Sequence, residues 1–165
     1  MEAFLKELPG LAKEKYLETK KYFQKLKKRT PKNLDFVVQE LHISEFKRTD
    51  CLTCGNCCKT TSPIFTEKDI HRIAKYVKMK EHLFISTYLD RDIDDFYVLK
   101  TAPCSFLDLN DNMCTIYDVR PKACNDYPHT NRRKFIQLTD LTLKNTEVCP
   151  AVYNIVEELK KKLPL

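Results

Sequence analysis

Apolar residues recur along this chain at the three- and four-residue spacing of an amphipathic helix. The longest stretch runs from Phe4 to Leu26 and predicts one helix with an early bend at Pro9. A terminal helix is predicted to begin at Pro150, since proline suits the first position of a helix. The same spacing predicts three internal helices, over residues 33–46, 66–77 and 81–89.

Two local signals refine the starts of the internal helices. Asn33 is placed as the N-cap of the helix over residues 33–46. Thr66 and Asp69 resemble a capping box with Asp in place of Glu, which predicts a well-defined start for the next helix.

Only short segments favour extended structure. Residues 96–99 predict a short strand, and residues 104–107 and 113–117 flank a loop rich in Asp and Asn, which is a β-hairpin signal. The acidic segment over residues 90–95 is expected to be a solvated turn, because it lacks the Gly and the terminal Glu of a calcium-binding loop.

These elements predict a mainly α fold with a small β-hairpin in a single compact domain, and the eight cysteines of the chain are expected to organise that domain around a multi-cysteine metal centre. We expect a basic amphipathic helix over residues 1–32 and a cysteine-cluster domain over residues 33–165. The chain has no Trp and only two Gly, which argues against a barrel or sandwich with many tight turns.

The cysteines are the candidate metal ligands. Half of the eight lie in the run Cys51-Leu52-Thr53-Cys54-Gly55-Asn56-Cys57-Cys58, where two-residue gaps let a tight loop turn three sulfurs toward one point. Gly55 can adopt the positive φ that such a loop needs. The remaining cysteines come singly, as ligands brought in by folding would: Cys104, Cys114, Cys124 and Cys149.

Thiolates are soft ligands that suit zinc and iron–sulfur clusters and are poor ligands for magnesium or calcium. A C-x2-C-x2-C run with a remote Cys149-Pro150 is nearer the ferredoxin arrangement than the paired knuckles of a zinc finger. It departs from ferredoxins because Cys58 follows Cys57 directly. In an extended backbone these two side chains would point apart and could serve different sites.

Eight sulfurs allow two four-ligand centres or one bridged centre with shared thiolates. Four ligands with four packed or redox-active thiols is the alternative. Cys149 also lies where an N-cap would be, and the free amides there are expected to favour its thiolate form.

No apolar run approaches the roughly 20 residues that span a bilayer, and the first residues are charged too often for a signal peptide. These observations predict a cytoplasmic protein, in which clustered cysteines act as metal ligands rather than as disulfides. Four disulfides would instead require an exported chain.

The net charge is +6, and the surplus is densest between Lys20 and Arg29. A basic helix can attract an acidic protein, an anionic lipid or nucleic acid. No nucleic-acid-binding pattern accompanies the charge, so nucleic acid is not an expected partner. We expect a solvated helix face, with an unidentified protein as the partner it would suit.

The cysteines lie in a series of short motifs, namely the run from Cys51 to Cys58, Pro103-Cys104-Ser105-Phe106-Leu107, Cys114-Thr115-Ile116-Tyr117, Arg120-Pro121, Cys124 and Tyr127-Pro128. Together these motifs resemble the CxxCxxCC cysteine-cluster family of zinc- or iron-chelating domains. The resemblance covers roughly residues 50–150 and implies that all eight cysteines of this chain belong to the cluster, with zinc or an iron–sulfur cluster as the cofactor.

Two polar residues near the cluster are further candidates. Arg120 could offset the negative charge of several thiolates. His129 could ligate a metal or donate to a sulfur, whereas His42 and His71 are expected to be packed or surface residues.

Three classes of function follow. The first is a metal-binding protein that holds zinc or an iron–sulfur cluster through eight cysteines, for metal handling or electron transfer. The second is an accessory or catalytic domain of a protein-modifying enzyme, because a similar segment accompanies flagellin lysine methylases; however, the chain lacks a glycine-rich strand–loop–helix for S-adenosylmethionine. The third is a purely structural zinc domain for protein interaction. No catalytic residue can be assigned from the sequence.

Overall fold

A computed structural model of the chain describes residues 2–165. Its described residues divide into two compact units. The terminal unit contains the described residues up to Cys54 together with Pro128–Leu165, and the central unit is Gly55–Tyr127. The boundary predicted after residue 32 stays a prediction.

The fold is mainly α with one two-stranded antiparallel hairpin among the described residues, which confirms the predicted class. Two short 3-10 helices cover Tyr117–Val119 and Phe135–Leu138. In chain order the other elements are α1 (Glu2–Lys28), α2 (Leu34–Phe46), α3 (Cys51–Cys54), α4 (Asn56–Thr60), α5 (Glu67–Tyr76), α6 (Glu81–Tyr88), β1 (Leu89–Arg91), β2 (Tyr97–Leu99), α7 (Lys122–Asp126), α8 (Thr139–Asn145) and α9 (Pro150–Lys162).

The terminal unit is a bundle in which α1, α2 and α9 share one apolar core. The core face of α1 has the predicted helical spacing, and the helix continues through Pro9. The Tyr22 hydroxyl donates to the carbonyls of Leu159 and Leu163, 3.2 and 2.9 Å away, which ties α1 to the end of α9. Burial raises the pKa of Tyr22 to about 12. Asn33 precedes α2 as predicted, but its side chain makes no capping hydrogen bond.

The basic end of α1 is partly engaged within the terminal unit. Lys27 forms an ion pair with Asp140 at 2.9 Å, and Lys25 donates to the carbonyl of Leu165 at 3.0 Å. Lys21 and Lys28 are exposed. A protein partner for this surface stays a prediction. No helix within residues 2–165 combines the length and the apolar character needed to cross a bilayer.

The central unit has its own core, built around the fully buried ring of Phe84. The ring of Phe84 stacks on that of Phe106 with centroids 6.1 Å apart, and Tyr88 lies 4.9 Å from Phe106. This cluster joins α6 to the segment that follows Cys104. Residues of α5 complete the core, as its helical pattern predicted.

The hairpin pairs β1 with β2, with Leu89 opposite Leu99 and Arg91 opposite Tyr97. The predicted strand over residues 96–99 is therefore confirmed. The turn predicted over residues 90–95 is shorter than expected, because Asp90 and Arg91 belong to β1 and only residues 92–95 form the turn. Asp92 stabilises that turn, because its side chain accepts hydrogen bonds from the amides of Asp94 and Phe96.

The hairpin predicted over residues 104–117 is not formed as two strands. A single antiparallel bridge joins Leu107 and Cys114, and the chain then enters the 3-10 helix. The physical reason lies in the intervening loop, where the side chains of Asp108 and Asp111 accept hydrogen bonds from the amides of Asn110 and Met113. Such local bonds compete with extension of a strand ladder.

The start of α5 is a capping box, as predicted, and its Asp69 is a buried carboxylate. Thr66 donates to one Asp69 oxygen through its hydroxyl at 2.6 Å and through its amide at 3.0 Å. The other oxygen accepts from the Arg72 guanidinium at 2.6 Å and from the Lys122 amide at 3.1 Å. Burial opposes ionisation, but these four donors prevail and lower the pKa of Asp69.

Replacing this carboxylate should lower stability in a pH-dependent way. We expect Asp69→Asn to reduce the free energy of unfolding by about 2 kcal/mol at neutral pH, since it removes hydrogen bonds to a charged group. A lowered pKa makes this contribution complete above the ordinary value of 3.8 and lost as the pH falls through the folded-state value. Thermal unfolding of both proteins over a pH series measures the difference. Asp94→Asn, at an exposed side chain, is the control, and a gap that widens in acid would contradict this account.

Candidate metal centre

The eight cysteines form no disulfide bonds and fall into two groups, one in each compact unit. The disulfide alternative therefore has no support in the structure. The central unit contains Cys57, Cys58, Cys104, Cys114 and Cys124, and the terminal unit contains Cys51, Cys54 and Cys149.

The densest cysteine run is two short helices, α3 and α4, rather than the predicted tight loop. Gly55 connects them with a φ of 58°, so the expected positive φ is confirmed. Cys57 and Cys58 lie in α4, where successive side chains are about 100° apart instead of on opposite faces. Their sulfurs are 4.0 Å apart, which corrects the prediction that they point away from each other.

Backbone contacts bring three of the central cysteines together. The amide of Cys104 donates to the carbonyl of Cys58 at 2.8 Å. The bridge from Leu107 to Cys114 then returns the chain toward Cys104. The sulfur of Cys104 already accepts the amide of Phe106 at 3.4 Å, a contact that favours a thiolate.

The central thiols are buried enough, and close enough, to affect one another. Burial raises the pKa of Cys124 to about 12, and the charges of Cys58, Cys104 and Cys114 add to this increase. The pKa of Cys104 is also raised by burial and by Cys58 and Cys114, and that of Cys114 by burial and by Cys58. These four sulfurs form one electrostatic group. Ionising them together is costly unless a cation is bound between them.

The pKa of Cys58 is shifted in the opposite direction. Its contact with the Cys57 sulfur lowers the pKa of Cys58 to about 7, against the effect of burial and with help from the charge of Lys59. Cys58 is thus the thiol of the group that ionises most readily, and either sulfur of the pair can donate to the other.

Arg120 supplies positive charge to this group, as predicted from the sequence. Its guanidinium lies 3.9 Å from the centroid of the Tyr117 ring and donates to the Tyr117 carbonyl and the Asn125 side chain at 2.6 and 2.9 Å. From there its charge lowers the pKa of both Cys114 and Cys124, in opposition to burial.

The segment before Cys124 is held by α5, which sequence reasoning did not detect. Arg72 donates to the carbonyls of Val119 and Arg120 at 3.3 and 2.8 Å. Asp69 accepts the amide of Lys122, the first residue of α7. The buried Asp69 carboxylate and its partly exposed partner Arg72 therefore position both Arg120 and the helix that contains Cys124. The capping box was the only signal of Asp69 in the sequence.

In the terminal unit, Cys51 and Cys54 are three residues apart in α3, and Cys149 is the N-cap residue of α9. Burial raises the pKa of Cys149 to about 11, and the charges of Cys54 and Cys51 raise it further. The amides of Val152 and Ala151 do stabilise the thiolate, but they are outweighed. The expected N-cap activation of Cys149 is therefore wrong for the protein without a bound cation.

A second buried carboxylate, Glu45, organises this group. It accepts hydrogen bonds from the side chains of Arg48 and Thr49, at 2.7 and 3.0 Å, and from Asn154 at 2.8 Å. The first two residues lead into Cys51, and Asn154 lies in the helix that follows Cys149. Glu45 thus links the two chain segments that supply the terminal cysteines.

The histidines behave largely as expected. His42 is packed on Phe46, with ring centroids 4.6 Å apart, and its Nδ1 lies 2.8 Å from the Thr130 hydroxyl. Burial lowers the pKa of His42. His71 is exposed and contacts Glu81 at 2.7 Å. His129 lies in the terminal unit with a φ of 68°, and its role as a ligand stays a prediction.

Within residues 2–165, no three His, Cys, Asp or Glu side chains are placed with the geometry of a formed metal site. The cysteine sulfurs are nevertheless the type of ligand that a thiophilic metal prefers. Each unit gathers several cysteines whose charges act on one another, and the terminal unit also contains a buried Asn145 amide nitrogen with no hydrogen-bond partner among the described residues. Such a donor can be satisfied by a thiolate sulfur.

The fold and these thiol groups define a mainly helical, cysteine-rich protein suited to thiophilic metals. Comparison with known protein families agrees: residues 50–150 match the CxxCxxCC family, described as "Putative zinc- or iron-chelating domain". The chain belongs to the CxxCxxCC family, and the resemblance noted in the sequence is confirmed. No solved structure is significantly similar to the chain.

The two glycines provide a matched test of the α3–α4 junction. A Cβ on Gly55 would lie 2.8 Å from the Asn112 side chain, and its φ of 58° is unfavourable for Ala. We expect Gly55→Ala to destabilise the protein by about 2 kcal/mol or more. The variant should also weaken metal binding, because Gly55 lies within the run from Cys51 to Cys58 and Asn112 is two residues before Cys114.

Gly10 is the control, since a Cβ added there would have nothing within 4 Å and the residue is in mid-helix. Gly10→Ala should stabilise the protein by about 0.5–1 kcal/mol. Chemical denaturation of both variants measures the effects. Equal changes in the free energy of unfolding would show that the contact with Asn112 is unimportant.

Proposed function

We propose that the central unit binds one zinc or iron centre through Cys58, Cys104, Cys114 and Cys124. The supporting observation is that the charges of these four thiols act on one another while Arg120 offsets them. Four thiolates are the ligand set of a structural zinc ion and also of an iron–sulfur cluster. Cys57 remains beside the site, with its sulfur 4.0 Å from that of Cys58.

The main role we infer for this centre is to stabilise the fold of the central unit. Residues 100–127 contain a single bridge, one 3-10 helix and the short α7, so this segment consists mainly of turns and loops rather than of long helices or a sheet. A metal bound by four cysteines would cross-link α4, the bridge and α7. Because binding requires the folded arrangement, its free energy adds to the stability of the fold.

The bound metal would also determine whether the centre is redox-active. Zinc has no redox chemistry in proteins, whereas an iron–sulfur cluster transfers single electrons. In both cases the protein supplies the same elements: four sulfurs, the Arg120 charge and the Phe106 amide that donates to Cys104.

The first test is the metal and acid-labile sulfide content of anaerobically purified protein. Iron with sulfide and a brown colour would establish a cluster, and zinc without sulfide would establish a zinc site; both support metal binding by thiolates. Protein that contains neither metal, takes up neither on reconstitution and has eight reactive thiols would overturn the proposal.

Single variants then assign the ligands. We expect Cys114→Ser and Cys124→Ser each to weaken metal binding by more than the roughly 10–100-fold typical for loss of an outer-shell partner. Ser105→Ala, beside Cys104, is the matched control and should bind like the parent protein. Binding that is unchanged in both cysteine variants would refute the assignment of these ligands.

A further inference from the structure

The surface of α1 that faces away from the terminal bundle is a second functional candidate, separate from the cysteines. We propose that it docks the protein on an anionic lipid surface, as a peripheral contact in which the helix lies along the membrane. The inference goes beyond the proposed function and does not depend on which metal the protein holds, because no cysteine takes part in it.

The helical period divides α1 into an inner and an outer face. Successive residues of an α-helix are about 100° apart, which places the buried side chains of α1 within one arc. These buried residues are Leu8, Ala12, Thr19, Tyr22, Phe23 and Leu26. Between residues 13 and 28, the opposite arc contains only exposed residues. This outer face of α1 consists of Lys13, Leu17, Lys20, Lys21, Gln24 and Lys28.

Ion pairs within the terminal unit mark the two sides of the outer face. On one side, Glu18 pairs with Lys160 of α9 at 2.9 Å. On the other side, Lys27 pairs with Asp140 of α8 at 2.9 Å. The outer face therefore lies between the lines along which α1 is joined to α9 and α8, and it is open to solvent.

The lysines of the outer face keep their charge available. Lys13, Lys21 and Lys28 form no ion pair with another described residue. Lys20 lies over the Tyr16 ring, with its Nζ 5.8 Å from the ring centroid. Glu14 is an exposed carboxylate at the edge of the face and offsets one of these charges. The face as a whole is therefore positively charged.

The type of side chain favours a lipid surface over an acidic protein. An ammonium is a compact, strongly hydrated charge, whereas a guanidinium recognises particular carboxylates and phosphates through its planar fork. Protein interfaces are enriched in arginine and aromatic residues and depleted in lysine. The six described residues of the outer face include four lysines and neither arginine nor an aromatic residue. Such a face suits general attraction to an anionic surface.

The shape of the outer face also fits a flat surface. Its lysines extend over about 22 Å of helix, all of which can meet a membrane at once. A nucleic-acid duplex is itself a cylinder, so a helix that crosses it touches only a short length. Basic clusters on amphipathic helices are typical of binding to anionic lipids. Leu17, which is 67% exposed in the middle of the face, can insert below the headgroups.

Co-sedimentation of the whole chain with vesicles tests the proposal. The chain should bind vesicles of phosphatidylglycerol and phosphatidylcholine in equal parts, and it should not bind vesicles of phosphatidylcholine alone. Each lysine contributes a factor of about 5 to such binding, so Lys21→Gln with Lys28→Gln should weaken it about 30-fold. Binding should also be lost between about 0.15 and 1 M salt, because the screening length falls from about 8 to about 3 Å.

The matched control is Lys68→Gln with Lys75→Gln, which removes the same charge from exposed positions of α5 and should bind like the parent protein. Equal weakening by both pairs would show that net charge, rather than α1, drives binding. Equal binding to the two kinds of vesicle, or binding to neither, would refute an anionic lipid as the partner. Binding of an RNA homopolymer through Lys21 and Lys28, without vesicle binding, would assign the face to nucleic acid instead.

A single introduced Trp shows where the lipid lies, since the chain has none of its own. The emission of Leu17→Trp should shift to the blue with anionic vesicles, because the indole leaves water. Phe36→Trp, at an exposed position of α2, is the control and should keep the emission of a solvated indole. Equal shifts at both positions, or a shift at Phe36→Trp alone, would overturn docking through α1. Each of these failures would leave the proposed metal site intact.

Discussion

The cost of ionising thiols that are buried beside one another is the constraint on which the cysteine-bearing parts of this chain depend. Burial raises the pKa of these cysteines most, and within each unit the ionisation of one cysteine makes the ionisation of its neighbours harder still. The protein offsets part of this with fixed donors and charge: Arg120 in the central unit, and the amides at the start of α9 in the terminal unit. The remaining cost is what a bound cation would remove, which gives zinc or iron chelation its physical basis in this structure.

The same arrangement of hydrogen-bonded side chains positions both cysteine groups. A buried carboxylate pairs with an arginine three residues later, as Asp69 with Arg72 and Glu45 with Arg48, at 2.6 and 2.5 Å. In each case a threonine hydroxyl also donates to the carboxylate. A further donor comes from a distant segment that adjoins a cysteine. Because leaving a buried carboxylate without its donors is costly, these networks fix the cysteine-bearing segments more firmly than loop contacts would.

The elements with strong local signals were predictable. The amphipathic spacing of α1, the capping box of α5 and the Pro at the start of α9 were recognised because each depends on neighbouring residues only. By contrast, α8 had no apolar pattern. Its buried face includes Thr139 and Thr142, whose hydroxyls bond to preceding carbonyls, so residues that are polar in the sequence are satisfied within the core.

By itself, the sequence determined the mainly α class, the thiolate chemistry and the family, because helical periodicity and cysteine spacing are properties of local sequence. Only the tertiary structure decided how the eight cysteines divide, since Cys149 joins Cys51 and Cys54 in one unit while Cys104 joins Cys58 in the other. It also decided that Cys149 is not activated by its N-cap position, because burial outweighs two amides. Long-range packing sets both outcomes, and no local pattern encodes the depth at which a side chain is buried.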